Sequence, residues 1–171
     1  MANTYTLIAS YTVGSGGAAN IAFSSIPQTY TDLMLMFSCR STNVSNYADT
    51  NVTISGGTYS GVGKVLYAIN GTTVGTYSPG SDPFFAYVAA ANNTANIFGN
   101  GYVYIPNYTS TINKTVTGDS VGENNGNNTI LALSAGLYTS STAITTVTLT
   151  PNGSTNFVQY STAYLYGIKN S

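Results

Sequence analysis

Apolar residues alternate with Thr, Ser, Asn and Gly over short stretches, and clusters of Gly, Asn, Ser and Pro separate them. A period of two over four to eight residues marks a half-buried strand. No stretch has convincing helical periodicity. Ala86 to Ala95 comes nearest, and Asn92-Asn93 weakens it. The pattern predicts an all-β, antiparallel, jelly-roll-like β-sandwich of about nine to eleven short strands. No repeat, charge run or linker interrupts it, so one domain is expected over residues 1–171.

The first strand is expected at Tyr5 to Val13, with Leu7, Ala9, Tyr11 and Val13 on one face, ahead of a turn at Gly14-Ser15-Gly16-Gly17. A second covers Asn20 to Ile26. Its phase slips at Ser24-Ser25, which predicts a bulge. Pro27, with no N–H to donate, ends the pairing. Asp32 to Arg40 is the most apolar strand: Leu33, Leu35, Phe37 and Cys39 share one face, and Met34, Met36, Ser38 and Arg40 the other. Asn51 to Ser55 follows, with Val52 and Ile54 inward and a turn at Gly56-Gly57. Lys64 to Ile69 and Thr72 to Tyr77 form a hairpin through Asn70-Gly71, a pair suited to positive φ at both turn positions. Ser78 to Pro83 reads as a loop. Phe84 to Val88, Ala95 to Phe98 and Tyr102 to Ile105 read as strands, the last two joined through Gly99-Asn100-Gly101, with a further candidate at Thr109 to Thr117. Asp119 to Asn128 reads as a polar loop. Thr129 to Tyr138, Ala143 to Thr150 and Ala163 to Ile168 complete the set, with a turn at Pro151-Asn152-Gly153-Ser154.

Composition changes the picture mainly through what is missing. Only nine of 171 residues are charged, 5% against about 25% in an ordinary domain. Thr, Ser, Asn and Gly make up 82 residues, so hydroxyls and amides supply the polar surface. Four cations and a net charge of −1 cannot line a phosphate-tracking groove, which argues against nucleic-acid binding. No run of 18 apolar residues predicts a membrane span, and the first residues lack the pattern of a secretory signal. There is no His, and the single Cys39 excludes an internal disulfide. Cys39 shares the Leu33–Leu35–Phe37 face and reads as a small buried hydrophobe.

No catalytic, cofactor or metal residues emerge. The acids Asp32, Asp49, Asp82, Asp119 and Glu123 are scattered. Asp119 and Glu123 lack the Asp-x-Asp core of a calcium loop and read as a solvated segment. There is no Gly-x-Ser-x-Gly, and a Ser–His pair is impossible. The expectation is a non-enzyme without cofactors. Fifteen Tyr and no Trp leave one candidate chemistry, aromatic stacking on sugar, with Tyr47, Tyr59, Tyr77 and Tyr108 near loops. Ordinary strand packing of these rings is the competing reading. Eight Asn-x-Ser/Thr sequons (Asn43, Asn51, Asn70, Asn92, Asn107, Asn113, Asn127 and Asn152) follow from the composition and are assigned no glycans.

Two strands carry large apolar side chains on both faces. Met34 and Met36 oppose the Leu33 face, and Tyr164, Tyr166 and Ile168 oppose Ala163 and Leu165. A strand with one wet face should alternate cleanly. Two covers are open: a neighbouring subunit, or a third layer made of the chain's own loops.

The stretch Tyr5 to Leu33 resembles the opening of a family of tailed-phage virion proteins common in phages of cyanobacteria and marine bacteria. The similarity resumes at Tyr102-Val103-Tyr104-Ile105-Pro106-Asn107-Tyr108, Ile130 to Tyr138, Ala143 to Pro151 and Tyr164-Leu165-Tyr166-Gly167-Ile168, and is loose over Val44 to Ala95. These are strand and turn motifs with no catalytic residues to carry over. The resemblance implies a jelly-roll-like virion protein, assembled in the reducing host cytoplasm where disulfides are not expected. The expectation is a capsid decoration (cement) protein, a homotrimer clamping the major capsid protein of the same phage. The alternative is a head-fibre or tail-fibre tip recognising host-surface glycan. A secreted sugar-processing enzyme is a distant third. The cations Arg40, Lys64, Lys114 and Lys169 would matter if the fold clustered them against a charged partner.

Overall fold

The computed structural model describes residues 4–81, 84–124 and 129–169. Asp82, the Asn127 sequon and parts of the loops expected at 78–83 and 119–128 lie outside the described residues. Within them the chain forms twelve strands: β1 Tyr5–Thr12, β2 Ile21–Phe23, β3 Asp32–Cys39, β4 Tyr47–Ile54, β5 Gly57–Ile69, β6 Thr73–Tyr77, β7 Phe84–Ala89, β8 Gly99–Ile105, β9 Lys114–Gly122, β10 Ile130–Ser140, β11 Val147–Pro151 and β12 Thr162–Ile168. Every strand pair is antiparallel.

The order within the sheets is that of a jelly roll. One sheet runs β1-β12-β3-β8 and the other β2-β11-β4-β7, so outer strands of the chain pair with one another and inner ones nest between. Two further hairpins, β5–β6 and β9–β10, extend the first sheet to β1-β12-β3-β8-β9-β10-β5-β6. The result is an eight-stranded sheet against a four-stranded one.

The facing sides fill one core. Leu33, Leu35, Phe37, Val103, Ala163 and Leu165 of the large sheet meet Ile21, Val52, Val88, Val147 and Leu149 of the small one. Alternation along β3 and β11 places these residues as their sequence pattern predicts, with Val52 and Ile54 inward on β4. Two buried tyrosines tie layers together: Tyr108 donates to the Pro27 carbonyl and Tyr138 to that of Val52. Cys39 is fully buried, and burial pushes its thiol up to about 12.

The large sheet overhangs the small one and curls around its edge strand β7. Tyr87 therefore packs against Val65, Ile130 and Ala132 in a second, smaller core. Its backbone N–H donates to Ser120 Oγ at 2.9 Å. Three glycines on the inward face permit this. A Cβ at Gly99 would lie 2.7 Å from the Ala89 nitrogen, at Gly101 2.4 Å from the Asp119 carbonyl, and at Gly118 2.2 Å from the Tyr102 carbonyl. No side chain fits at such a bend.

Several expected elements differ. In β1 the register shifts between Leu7 and Ala9, so Leu7 turns to the outer face, and Tyr11 on this edge strand is also exposed. There is no ladder bulge at Ser24-Ser25. β2 stops at Phe23, and Ser25 at φ 54° redirects Ile26 into the core. The Asn70-Gly71 turn has positive φ at both residues, but β5 begins already at Gly57. Residues 95–98 are not a strand, and Gly99-Asn100-Gly101 lies within β8 rather than in a turn. β9 starts at Lys114 and runs through Asp119 to Gly122, where the polar composition suggested a loop. β11 begins at Val147, four residues later than the apolar pattern suggested.

The glycine bend is directly testable. Gly118→Ala forces a Cβ onto backbone and should destabilise the protein by about 1–3 kcal/mol. Gly16→Ala, which meets nothing within 4 Å, should leave stability nearly unchanged. Urea unfolding of the two variants measures both values.

Candidate functional site

The register places three rows of side chains on the outer face of the large sheet. The central row runs Tyr164, Met36, Tyr102, Asp119, Leu133, Leu66 across β12, β3, β8, β9, β10 and β5. Flanking it on one side are Ser38, Asn100, Val121, Leu131, Ala68 and Val74. On the other side lie Tyr166, Met34, Tyr104 and Thr117. Most of this face is apolar or aromatic, and it is open: Leu133 is 61% exposed, Leu66 50% and Met36 48%. Met36, Tyr102 and Tyr164 are exposed, so no loop among the described residues forms the third layer over them.

Two depressions meet on this face. One of about 600 Å³ lies over β5, β6, β9 and β10 between Leu66, Val74, Leu131 and Leu133. The other, about 400 Å³, lies between Met36, Tyr102 and Tyr164. Asn100 and Asp119 border both, so the two form one groove with a single carboxylate at its middle. Burial among these neighbours pushes the Asp119 carboxyl above its ordinary value of 3.8. At the edge of the face Tyr104 donates to Asp32 Oδ2 at 2.6 Å, and the Asn107 N–H donates to Oδ1 at 2.8 Å. That pair ties down Asp32, which is buried.

The four cations do not gather into a patch. The buried Arg40 guanidinium donates to four carbonyls of the β7–β8 connection: Nη1 to Thr94 and Ile97, Nη2 to Ala91 and Asn93, at 2.7–3.1 Å. Its planar fork suits a ring of backbone acceptors. Lys114 is fully buried and donates to the Ser110 carbonyl at 2.7 Å and to that of Ile112. Lys64 reaches Ser78. Arg40 and Lys114 are thus spent inside the fold and cannot grip a charged partner.

The candidate sugar platforms separate. Tyr108 and Tyr59 are buried, Tyr59 against Tyr138 with centroids 5.4 Å apart, so neither offers a free ring face. Tyr47 and Tyr77 line a common cleft on the far side of β5. Met34, Met36, Tyr164 and Tyr166, the residues behind the two-faced strands, do share the outer face. Tyr102, Leu66, Leu131 and Leu133 join them. Their strands gave the signal only as apolar residues at both parities, which the register alone combines. Asp119 and Glu123 do not pair around an ion: Asp119 is on β9 and Glu123 lies beyond its end, about 13 Å apart for extended chain. Among the described residues no group of three His, Cys, Asp or Glu side chains gathers as a metal-ligand set.

Asp119 makes a test of the groove's dryness. Its carboxyl is favoured neutral in the folded state. The penalty is absent below pH 3.8 and grows as pH rises through the folded value. Asp119→Asn should therefore raise the thermal midpoint at pH 7 and leave it unchanged at pH 3, measured by circular dichroism. Comparison of the chain with protein-family models, with curated proteins and with solved structures finds no match to any of them.

Proposed function

We propose that the chain is a structural protein of a tailed-phage virion, a capsid decoration protein that assembles as a homotrimer and clamps the major capsid protein. One observation carries the interface part of this reading: an apolar outer sheet face left open on a chain with almost no charge. The rows span six strands at about 4.8 Å spacing and lie about 6.8 Å apart, which makes a face of roughly 500–600 Å². A standard protein–protein interface buries about 800 Å² on each partner. The face reaches the upper end of the range for the largest patch on a monomer, about 300–600 Å², and patches of that size are often functional. The virion assignment itself rests on the sequence resemblance. Burial of Arg40 and Lys114 favours a clamp held by apolar contact and hydrogen bonds over one held by charge.

The alternative, a fibre tip that binds host-surface glycan, draws its support from Tyr102 and Tyr164. Both rings stand on the outer face beside Asn100 and Asp119, a mixture of apolar faces and polar groups that suits a pyranose ring. Copy number separates the readings: hundreds per virion for decoration, tens for a fibre.

Light scattering should find a trimer at micromolar concentration. Monomer throughout that range overturns the trimer. Met36 is half exposed, so Met36→Asp should leave the fold intact by circular dichroism. It should weaken assembly at least about a hundredfold, because three carboxylates lose hydration in the interface.

Retention on capsids tests the clamp. Raising NaCl from about 0.1 to 1 M shortens the Debye length from about 10 to 3 Å, yet retention should change less than about twofold. Urea below the unfolding range should release the protein, since it solvates apolar and peptide groups. Release of folded protein by 1 M salt in a sedimentation assay overturns the apolar clamp and leaves the virion assignment standing.

A further inference from the structure

On the opposite side of the large sheet, the β5–β6 wing leaves a cleft of about 310 Å³ against the outer face of β4 and β7. Four tyrosines and one carboxylate line it. On the small sheet, Asp49 stands directly opposite Tyr87, and Tyr47 is two residues along on the same face. Tyr47 and Tyr87 meet edge to face, 5.4 Å between centroids and 82° between planes, so their rings form two walls at right angles. The wing supplies the facing side. Tyr67 pairs with Gly75, and a Cβ on Gly75 would lie 2.6 Å from the Tyr67 Cζ and Oη. The Tyr67 ring therefore lies across the β6 backbone, in space that only a glycine leaves. Tyr77 follows two residues later on the same face of β6.

The electrostatics of the cleft are one-sided. Burial pushes the Tyr87 hydroxyl up, and Asp49, Tyr47, Tyr67 and Tyr77 add to that shift. Every ionisable neighbour among these is an acid. Lys64, the cation of β5, stands three residues from Tyr67 and so on the other face of that strand. Ring faces carry negative potential and attract a cation within about 6 Å of the centroid, most strongly when it is desolvated. A bare alkali ion gives up too much hydration to enter such walls. An alkylated ammonium is weakly hydrated and matches both the rings and the carboxylate.

We propose that this cleft is a cage for a compact organic cation, an alkylammonium group held by the faces of Tyr47, Tyr67, Tyr77 and Tyr87 and neutralised by Asp49. The site is separate from the outer-face groove and does not rest on the virion reading. The same group is carried by a free solute or by a methylated lysine side chain.

Titration with choline chloride, with Nα-acetyl-Nε-trimethyl-lysine methylamide and with 3,3-dimethylbutan-1-ol, the uncharged isostere of choline, tests the proposal by amide chemical shifts in NMR. Choline or the lysine probe should saturate by about 10 mM, shift the amides of Tyr47, Tyr67 and Tyr87, and bind at least about tenfold tighter than the isostere. Tighter choline binding identifies a free solute as the source, and tighter binding of the lysine probe identifies a protein side chain. Asp49→Asn should weaken the cationic probe about tenfold and leave the isostere unaffected. Tyr77→Leu, at an exposed position, is the second variant and should also weaken the cationic probe severalfold. Equal binding of choline and its isostere, shifts confined to other surfaces, or no saturable binding of either cationic probe overturns the cage.

Discussion

The bend of the large sheet around β7 is the constraint on which the rest of the molecule depends. A jelly roll leaves its edge strands exposed, and β7 is the edge of the small sheet. Gly99, Gly101 and Gly118 let β8 and β9 close over it, and the hairpins beyond continue the curl. Tyr87 is buried because of that curl, and the β5–β6 wing stands off from β4 because of it. The same closure leaves the outer face of the sheet with three rows of side chains and, among the described residues, no layer to cover them.

Three of the chain's nine charges are used inside the fold. Arg40 holds the β7–β8 connection by its carbonyls, Lys114 holds residues 110–112, and Asp32 takes the Tyr104 hydroxyl and the Asn107 amide. Each ion satisfies backbone or hydroxyl groups that a loop cannot otherwise pair away from water. With so few charges in the chain, this internal use leaves a surface of hydroxyls, amides and tyrosine rings.

Much of this architecture is legible in the chain. β3 sits where the pattern puts it, Val147 and Leu149 face inward on β11 as expected, and Asn70-Gly71 makes its hairpin. Glycine accounts for part of the difference. Gly99, Gly101 and Gly122 read as turns or loops, because glycine is ordinarily a breaker, while here each sits in a strand, Gly99 and Gly101 at a close approach. Residues 95–98 read as a strand, yet Arg40, more than fifty residues away in sequence, folds them into a loop. The outer face was visible only as methionines and tyrosines of the wrong parity. Its breadth depends on register across six strands, which one-dimensional spacing does not encode. The tyrosine cleft is half legible: Tyr47 and Tyr77 stand near loops in the sequence, but Tyr67 and Tyr87 join them only through the curl.

The pairing of β1 with β12 has a mechanical consequence. Tyr5 lies opposite Ile168, so the two strands meet at the same end of one antiparallel ladder. A force applied between residues 4 and 169 pulls across that ladder, along its hydrogen bonds rather than against them in shear. Such a load opens the pairs one at a time from Tyr5 toward Thr12, at low force, before the β3–β8 pairs carry any strain. The fold yields first as a zip fastener, peeling from this single seam.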